Sequence, residues 1–225
     1  MDRSEAIAKS YSKPLKLPAH SAIAQVVAEV RPDETVLDVG CAEGYLADYL
    51  PENRVWGIDG NRDAVQSAAT RCIEVATVDL DAIPLTEPFA RKFDVLVYAD
   101  VLEHLLQPER VLVNLATQLS VDGRIVVSLP NVALWRVRLN LLGGRFNYSD
   151  YGVMDRTHLH FYTFKSAKQL LENAGFRVVR VTGAANLLGP LVARLPMLRN
   201  LLSTQIVLVA TAAGSTGAER EVTCE

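Results

Sequence analysis
The stretch Val36-Leu37-Asp38-Val39-Gly40-Cys41-Ala42-Glu43-Gly44-Tyr45-Leu46-Ala47-Asp48-Tyr49-Leu50 constrains this chain more than any other. Its apolar start reads as a buried strand, its glycines as a turn, its second half as an amphipathic helix. Gly40 and Gly44 carry no Cβ, so a ligand can approach the backbone there. The helix expected over 44–50 would offer that ligand free N–H groups. Asp38 ends the strand, giving the pattern D-x-G-x-x-x-G. A carboxylate facing the turn suits a cationic ligand and repels a pyrophosphate. The dinucleotide fingerprint G-x-G-x-x-G occurs nowhere. That counts against a dinucleotide-dependent oxidoreductase.

The same mark recurs at later strand ends. Val55-Trp56-Gly57-Ile58-Asp59-Gly60-Asn61 ends in an acid about 20 residues after the first, where nucleotide-binding units place a ribose partner. Val75-Ala76-Thr77-Val78-Asp79-Leu80-Asp81 ends likewise, and Phe93-Asp94-Val95-Leu96-Val97-Tyr98-Ala99-Asp100 runs into the polar turn Val101-Leu102-Glu103-His104. One acid at a strand end is often only a helix cap. Four in order, at successive strand ends, define a site.

Strands are expected near 35–39, 54–58, 73–78, 93–98 and 124–129, with Asp122-Gly123 as a turn before the fifth. Helices are expected near 20–30, 44–50, 61–70 and 108–119. A helix near 165–173 ends at Gly175, and strands near 176–182 and 204–211 follow. Such alternation implies a parallel sheet covered on both faces by helices. With 225 residues and 49% hydrophobic content the chain can bury one substantial core. A net charge of −3 gives no field that favours nucleic acid. Three cysteines, Cys41, Cys72 and Cys224, form neither a disulfide framework nor a metal-ligand spacing. The start Met1-Asp2-Arg3-Ser4-Glu5 lacks the apolar region of a signal peptide, and no apolar run is long enough for a transmembrane segment. A cytoplasmic location is expected.

These motifs resemble those of class I S-adenosylmethionine (SAM)-dependent methyltransferases over roughly residues 20 to 210. SAM carries an ammonium and a sulfonium, which agrees with the charge argument at Asp38. A closer resemblance is to MetW-like proteins and to methyltransferases found with glycosyltransferases. It rests on Ser128-Leu129-Pro130-Asn131-Val132, Trp135-Arg136-Val137-Arg138-Leu139, Gly143-Gly144-Arg145-Phe146 and Asp155-Arg156-Thr157-His158-Leu159-His160-Phe161-Tyr162-Thr163. One departure is Ala42, where the commonest motif has glycine.

The resemblance implies an α/β, Rossmann-like, doubly wound sheet of seven strands. The sheet would be mostly parallel, with a C-terminal antiparallel strand inserted between its predecessors. It implies that Asp38, Gly40, Ala42 and Gly44 hold the methionine portion of SAM, Asp59 the ribose and Asp79 the adenine. Cys41, Gly60, Asn61, Leu80, Ala99, Asp100 and His104 would complete the cofactor wall. The activity implied is methyl transfer to a small-molecule acceptor, most naturally an oxygen. The alternative is a non-catalytic or regulatory partner in methionine biosynthesis, as MetW-like proteins suggest.

The domain is expected over 20–211, after an N-terminal segment 1–19 and before a disordered tail 212–225. Two insertions interrupt the alternation. Residues 130–163 follow the fifth strand and should form a lid, since ligands in open α/β sheets sit outside the carboxyl ends of strands. The lid holds Trp135, Phe146, Tyr148, Tyr151, Phe161 and Tyr162 with Arg136, Arg138, Arg145 and Arg156, and Gly143-Gly144 suits a hinge. Residues 186–202 carry leucines at 187, 191, 195, 198 and 202 at helical spacing, with Pro190 and Pro196 as breaks. Packing on its own core is the first expectation for this stripe. A homodimer face, a membrane-surface contact and a cover for an apolar substrate stay open.

An oxygen acceptor needs a general base. His158, His160 and Asp155 are the catalytic candidates, and His158 and His160 share one face if 157–163 is extended. His104 reads as part of the cofactor wall. Asp100, Glu103 and His104 occupy one helical turn, which His158 or His160 could extend. This resembles the E-x-x-E-H cluster of small-RNA 2′-O-methyltransferases, which bind a divalent metal. Asp100 replaces a glutamate of that pattern and no basic face for RNA exists, so no resident metal is expected.

Overall fold
The computed structural model describes residues 17–213 apart from 83, 86 and 186–188. Residues 1–16 of the expected N-terminal segment, Leu187, Cys224 and the tail from 214 lie outside the described residues.

Seven strands form one sheet: β1 (Thr35–Val39), β2 (Arg54–Asp59), β3 (Glu74–Thr77), β4 (Phe93–Ala99), β5 (Leu119–Pro130), β6 (Phe176–Ala184) and β7 (Gln205–Ala212). Their order is β3-β2-β1-β4-β5-β7-β6. The first five run parallel, and β7 lies antiparallel between β5 and β6. This is the doubly wound, Rossmann-like sheet that the alternation and the resemblance imply. The helices are α1 (Ala22–Ala28), α2 (Tyr45–Asp48), α3 (Arg62–Ala68), α4 (Pro108–Ala116), α5 (Trp135–Leu142), α6 (Phe164–Asn173), α7 (Gly189–Arg194) and α8 (Arg199–Leu202). Short 3-10 turns cover Leu102–His104 and Pro196–Leu198. No helix among the described residues is long and apolar enough to cross a membrane.

Alternate residues of the central strands serve opposite faces. Leu37, Leu96 and Tyr98 pack with Val111, Leu112 and Leu115 of α4 and with Leu170 and Leu171 of α6. Val36, Val95 and Val97 pack with Ala22 and Val26 of α1 and Leu46 of α2. Both faces are covered, so the strands read as unbroken apolar runs. Helix ends follow local chemistry. Ser21 caps α1 through Ala24 N–H, Pro108 opens α4, and Thr163 with Ser166 forms a reciprocal capping box on α6. Gly175 ends α6 at φ +85°, the left-handed position that favours glycine.

Two expectations need correction. Asp122-Gly123 does not precede the fifth strand but lies inside it. Pairing with β4 shifts between Phe93↔Leu119 and Val95↔Arg124, so the extra residues are absorbed as a bulge. The leucine stripe of 186–202 is not the buried side of its segment. Pro190 and Pro196 divide it into short pieces as expected, and Val192 is buried. Of the stripe, Leu191 and Leu195 are exposed and Leu198 and Leu202 are half-buried. One-turn pieces cannot keep a single face toward the sheet, so helical spacing misleads here.

One polar contact locks α1 to the sheet. Arg124 of β5 pairs with Glu34 through two bonds of 2.8 and 2.6 Å. Its Nε also donates to the Glu29 carbonyl at the end of α1, at 3.1 Å. The two side chains are only 11% and 14% exposed, so solvent screens them little. Arg124→Met should therefore cost about 3 kcal/mol, because a nearly buried Glu34 loses its bidentate partner and keeps only Arg31, whose side chain is exposed. Urea denaturation at neutral pH measures this, and Glu34→Gln in the same chain should recover part of the loss. An unshifted midpoint in the single variant would refute the coupling.

Candidate active site
Chain order reverses between β1 and β4: from β1 the sheet grows through β2 one way and β4 the other. A crevice opens at the carboxyl ends of strands on such a reversal. Here it is a cleft of about 310 Å³. The turn after β1 gives Gly40, and the turn after β2 gives Asp59 and Gly60. The segment after β3 gives Asp79, Leu80 and Asp81, and the segment after β4 gives Asp100, Val101, His104 and Leu105.

Asp59 organises two of these turns. Its Oδ2 accepts the Ala42 N–H at 2.9 Å and its Oδ1 accepts the Asn61 N–H at 2.8 Å. Gly40 and Cys41 N–H both reach the Ile58 carbonyl, at 2.8 and 3.0 Å. The turn must pass through left-handed geometry, with Gly40 at φ +73° and Ala42 at φ +45°. A Cβ on Gly40 would collide with Val101. Ala42 holds a conformation that glycine adopts more easily, which explains the commoner glycine at that place.

Asp38 sits beneath this turn, 4% exposed, in register with Gly57 of β2 and Val97 of β4. No described residue donates a hydrogen bond to its carboxylate. Burial, and then the charge of Asp59, pushes its pKa up to about 7.

The helix expected over 44–50 is a single turn, Tyr45–Asp48. Of the N–H groups just before it, that of Gly44 goes to Cys41 O at 2.8 Å and that of Ala42 to Asp59. Gly44 instead presses on α3, where a Cβ would meet Ala68 and Cys72 Sγ at 3.1 and 3.2 Å. Cys41 is buried, and burial holds its thiol well above the usual range. Asn61 turns its side chain to cap α3 through Asp63 N–H at 3.0 Å, and Ala99 packs on the α1 face. Asp38, Cys41, Ala42, Gly44, Asn61 and Ala99 thus frame the cleft without lining it. Asp81, Val101 and Leu105 line it without having been singled out. The pair Asp79-Leu80-Asp81 carried a signal for the first: Asp79 accepts the Asp81 N–H, and Asp81 accepts the Leu106 N–H at 2.8 Å. The two apolar residues had none.

Asp100, at φ +55°, is committed to the sheet. It accepts from Ser128 Oγ at 2.9 Å and from Gln205 Nε2 at 2.6 Å. Next to it the chain gathers a second group. His104 faces the cleft with Nδ1 3.2 Å from Thr157 O, and His158 has Nδ1 3.3 Å from Val153 O. Their rings meet edge to face, centroids 4.8 Å apart. Glu103 is fully buried, and neither carboxylate oxygen has a hydrogen-bond partner. Burial, and then Asp100, pushes its pKa well above the ordinary carboxylate value. Burial, and then His104, pushes the pKa of His158 down, so its ring is neutral at pH 7.

Residues 157–163 do not form the extended strand on which His158 and His160 would share a face. The chain bends: His158 N–H bonds Asp155 O at 3.2 Å, and both Leu159 and His160 N–H bond Glu103 O, at 2.8 and 3.1 Å. His160 packs on Tyr162, with a buried and unpartnered Nε2. Asp155 Oδ1 accepts Thr157 N–H and Oγ1 at 2.8 and 2.7 Å. Burial acts upward on Asp155, but those bonds outweigh it and hold its pKa below the usual value. Asp155 thus builds the turn that presents His158.

The lid is tied down at its base. Fully buried Asn131 donates to Asn200 O at 3.0 Å and Ser203 O at 2.8 Å, and Val132 N–H bonds Tyr162 O at 2.9 Å. Its aromatics pack on one another, Phe146 lying 5.5 Å from Tyr148 and 5.9 Å from Phe161. Phe161 in turn packs on His158. A second cavity, about 350 Å³, opens between α1, β6 and α7, away from the acids. Its charged walls are committed, Glu29 to Arg180 and Arg199 to the Val181 carbonyl, so the chemistry is placed in the cleft.

Known proteins give the same picture. Ubiquinone biosynthesis O-methyltransferase of Coxiella burnetii is 25% identical over 155 residues, 66% of this chain. The match spans 65% of that relative, just under two thirds of its length. A SAM-dependent methyltransferase from Aquifex aeolicus superposes with a TM-score of 0.60 at 20% identity, covering 93% of this chain and 98% of its own. Magnesium protoporphyrin IX methyltransferase of Synechocystis, solved with S-adenosylhomocysteine, gives 0.56 at 20% identity over 84% and 78% of the two chains. These likenesses establish the class I methyltransferase fold. The model of the family described as "Methionine biosynthesis protein MetW" matches residues 20–209, nearly the whole described sheet and its lid, and the chain therefore belongs to the MetW family.

Proposed function
We propose that the chain binds SAM in the acid-lined cleft and transfers its methyl group to an oxygen of a small molecule held under the lid. The observation that carries this reading is Asp38, a buried carboxylate at the strand reversal with no hydrogen-bond donor among the described residues. Such a group costs free energy until a cation meets it. The cleft fits SAM on this ground, and its acids disfavour a pyrophosphate. When bound, SAM supplies a methyl carbon on a sulfonium, open to in-line displacement.

In this reading Asp38 holds the ammonium of the methionine portion, and Gly40 leaves room for it. Asp59 accepts the ribose hydroxyls with the lone pairs that Ala42 and Asn61 leave free. Asp79, Leu80 and Asp81 face the adenine, and Asp100, Val101 and His104 close the opposite wall. The acceptor oxygen sits at the His104 end, where His158 approaches under the lid. The relative's description as an O-methyltransferase supports an oxygen acceptor. Positioning and exclusion of water supply most of the acceleration. The imidazoles of His158 and His160, not Asp155, are suited to handle the acceptor proton, because Asp155 is spent on its turn. The family description favours a second reading, a regulatory partner in methionine biosynthesis. Turnover of SAM by the purified chain decides between the two.

Two outcomes test the cofactor reading. Asp38 is raised from 3.8 to about 7, so the free protein holds its proton more tightly than the unfolded chain does. Its contribution to stability is full below pH 4 and is lost as pH rises to about 7. SAM favours the charged form, so its Kd should fall by up to tenfold per pH unit from pH 5 towards 7, then level off. Calorimetric titration measures this; Asp38→Asn should bind weakly with a flat profile, and a flat wild-type profile would refute the role. Asp59→Ala removes two charge-assisted hydrogen bonds to the ribose and should weaken SAM by ~2–3 kcal/mol. Unchanged affinity would remove Asp59 from the site.

A further inference from the structure
We propose that Glu103, His104 and His158 form a binding site for one divalent transition-metal ion, of the zinc type, at the acceptor end of the cleft. One ligand atom from each residue lies within 4.8 Å of the others. Three features of the geometry point to a cation. Glu103 is buried with both oxygens unpartnered, and His158 Nε2 stands 4.0 Å from Oε1, beyond hydrogen-bond reach whichever of the two carries a proton. Both histidines turn Nδ1 toward a backbone carbonyl, Thr157 O and Val153 O. A carbonyl only accepts, so each Nδ1 carries the proton and each Nε2 offers a lone pair. That outer bond is the arrangement that orients metal-ligating histidines. The two carbonyls belong to the lid, so the lid itself aims the ligands.

Asp100 has no part in this cluster, because Ser128 and Gln205 already hold its carboxylate. His160 is also outside it. The set keeps Glu103, His104 and His158 of the cluster that the sequence suggests, leaves out Asp100 and His160, and runs against the expectation of no resident metal. Two imidazoles and one carboxylate suit zinc or its first-row neighbours over magnesium. Bond lengths near 2.1 Å put ligands about 3.4 Å apart in a tetrahedron, so the ion draws the three side chains together. Exposed His104 leaves the cleft side of the ion open. An ion held there would make an acceptor hydroxyl acidic enough to give its proton to solvent, and His158 would then act as a ligand and not as the base. The acceptor oxygen forms the bond to the methyl carbon as the carbon–sulfur bond breaks, and the sulfonium leaves as a neutral thioether. That role rests on the methyl-transfer reading; the site does not.

The test is titration of chelator-treated full-length chain with Co²⁺, followed by its visible absorption, and with Zn²⁺, followed by chelator competition and by thermal melting. One ion per chain should bind, with the intense bands of a low-coordinate cobalt site and a rise in Tm. Glu103→Gln, which removes a buried charge and keeps the side chain's size, should melt no lower than wild type without metal. It should lose the metal-dependent rise and bind at least tenfold more weakly. His158→Ala should behave likewise towards metal. Equal binding by wild type and Glu103→Gln, or no binding by wild type, overturns the proposal. SAM affinity measured separately on the metal-free chain keeps the two readings apart: its loss refutes the cofactor assignment without touching the metal result.

Discussion
The carboxylate of Asp59 is the contact on which the cleft depends. It joins the turn after β1 to the turn after β2 through the Ala42 and Asn61 N–H groups. Without that acceptor, Ala42 would have no reason to stay at φ +45°. Its departure would release Gly40 from Val101 and open the floor of the site. Asn61 would lose its own anchor, and with it the cap on α3. One side chain thus couples backbone strain in one loop to helix initiation in the next. Such strain persists only where the surroundings over-determine it.

The acids of the cleft act together as well as singly. Asp38, Asp59, Asp79, Asp81 and Asp100 converge on one crevice from four strand ends. Among the described residues, none of Asp38, Asp59, Asp79 and Asp100 has a lysine or arginine partner within ion-pair distance. Three arginines pair with acids outside the cleft, Arg124 with Glu34, Arg71 with Asp48 and Arg180 with Glu29. Burial, and then the charge of Asp59, raises the pKa of Asp38, and burial raises that of Asp100 as well. The same field that destabilises the empty cleft is available to bind a cation.

What the sequence makes legible follows from locality. Strand positions, the Gly40 turn and the row of acids depend on period-two alternation and on residues a few places apart. The sheet order with β7 between β5 and β6 came from resemblance, since no local signal in Gln205–Ala212 sets its neighbours. The bulge at Asp122-Gly123 was hidden because a turn dipeptide reads alike inside a strand and before it. The role of Gly44 was hidden because its reason is a helix that arrives later in the chain. The leucine spacing over 186–202 is helical, yet proline breaks remove the continuous helix that would give the spacing a meaning.

The sequence singles out Glu103 and His104 and leaves their partner open between His158 and His160, and the fold brings His158 to them. These residues come from a 3-10 turn after β4 and from the lid, and two backbone bonds and one side-chain bond hold the two segments together. Leu159 and His160 N–H bond the Glu103 carbonyl, while Thr157 O holds His104. The lid is therefore fastened to the very turn whose side chains it completes. Asn131 fastens its other end to the segment before β7. A lid pinned at both ends cannot swing as a rigid flap. In the methyl-transfer reading proposed above, an acceptor enters through the middle, from the Gly143-Gly144 break to the exposed Phe146, Tyr148 and Tyr151, and that aromatic span selects it.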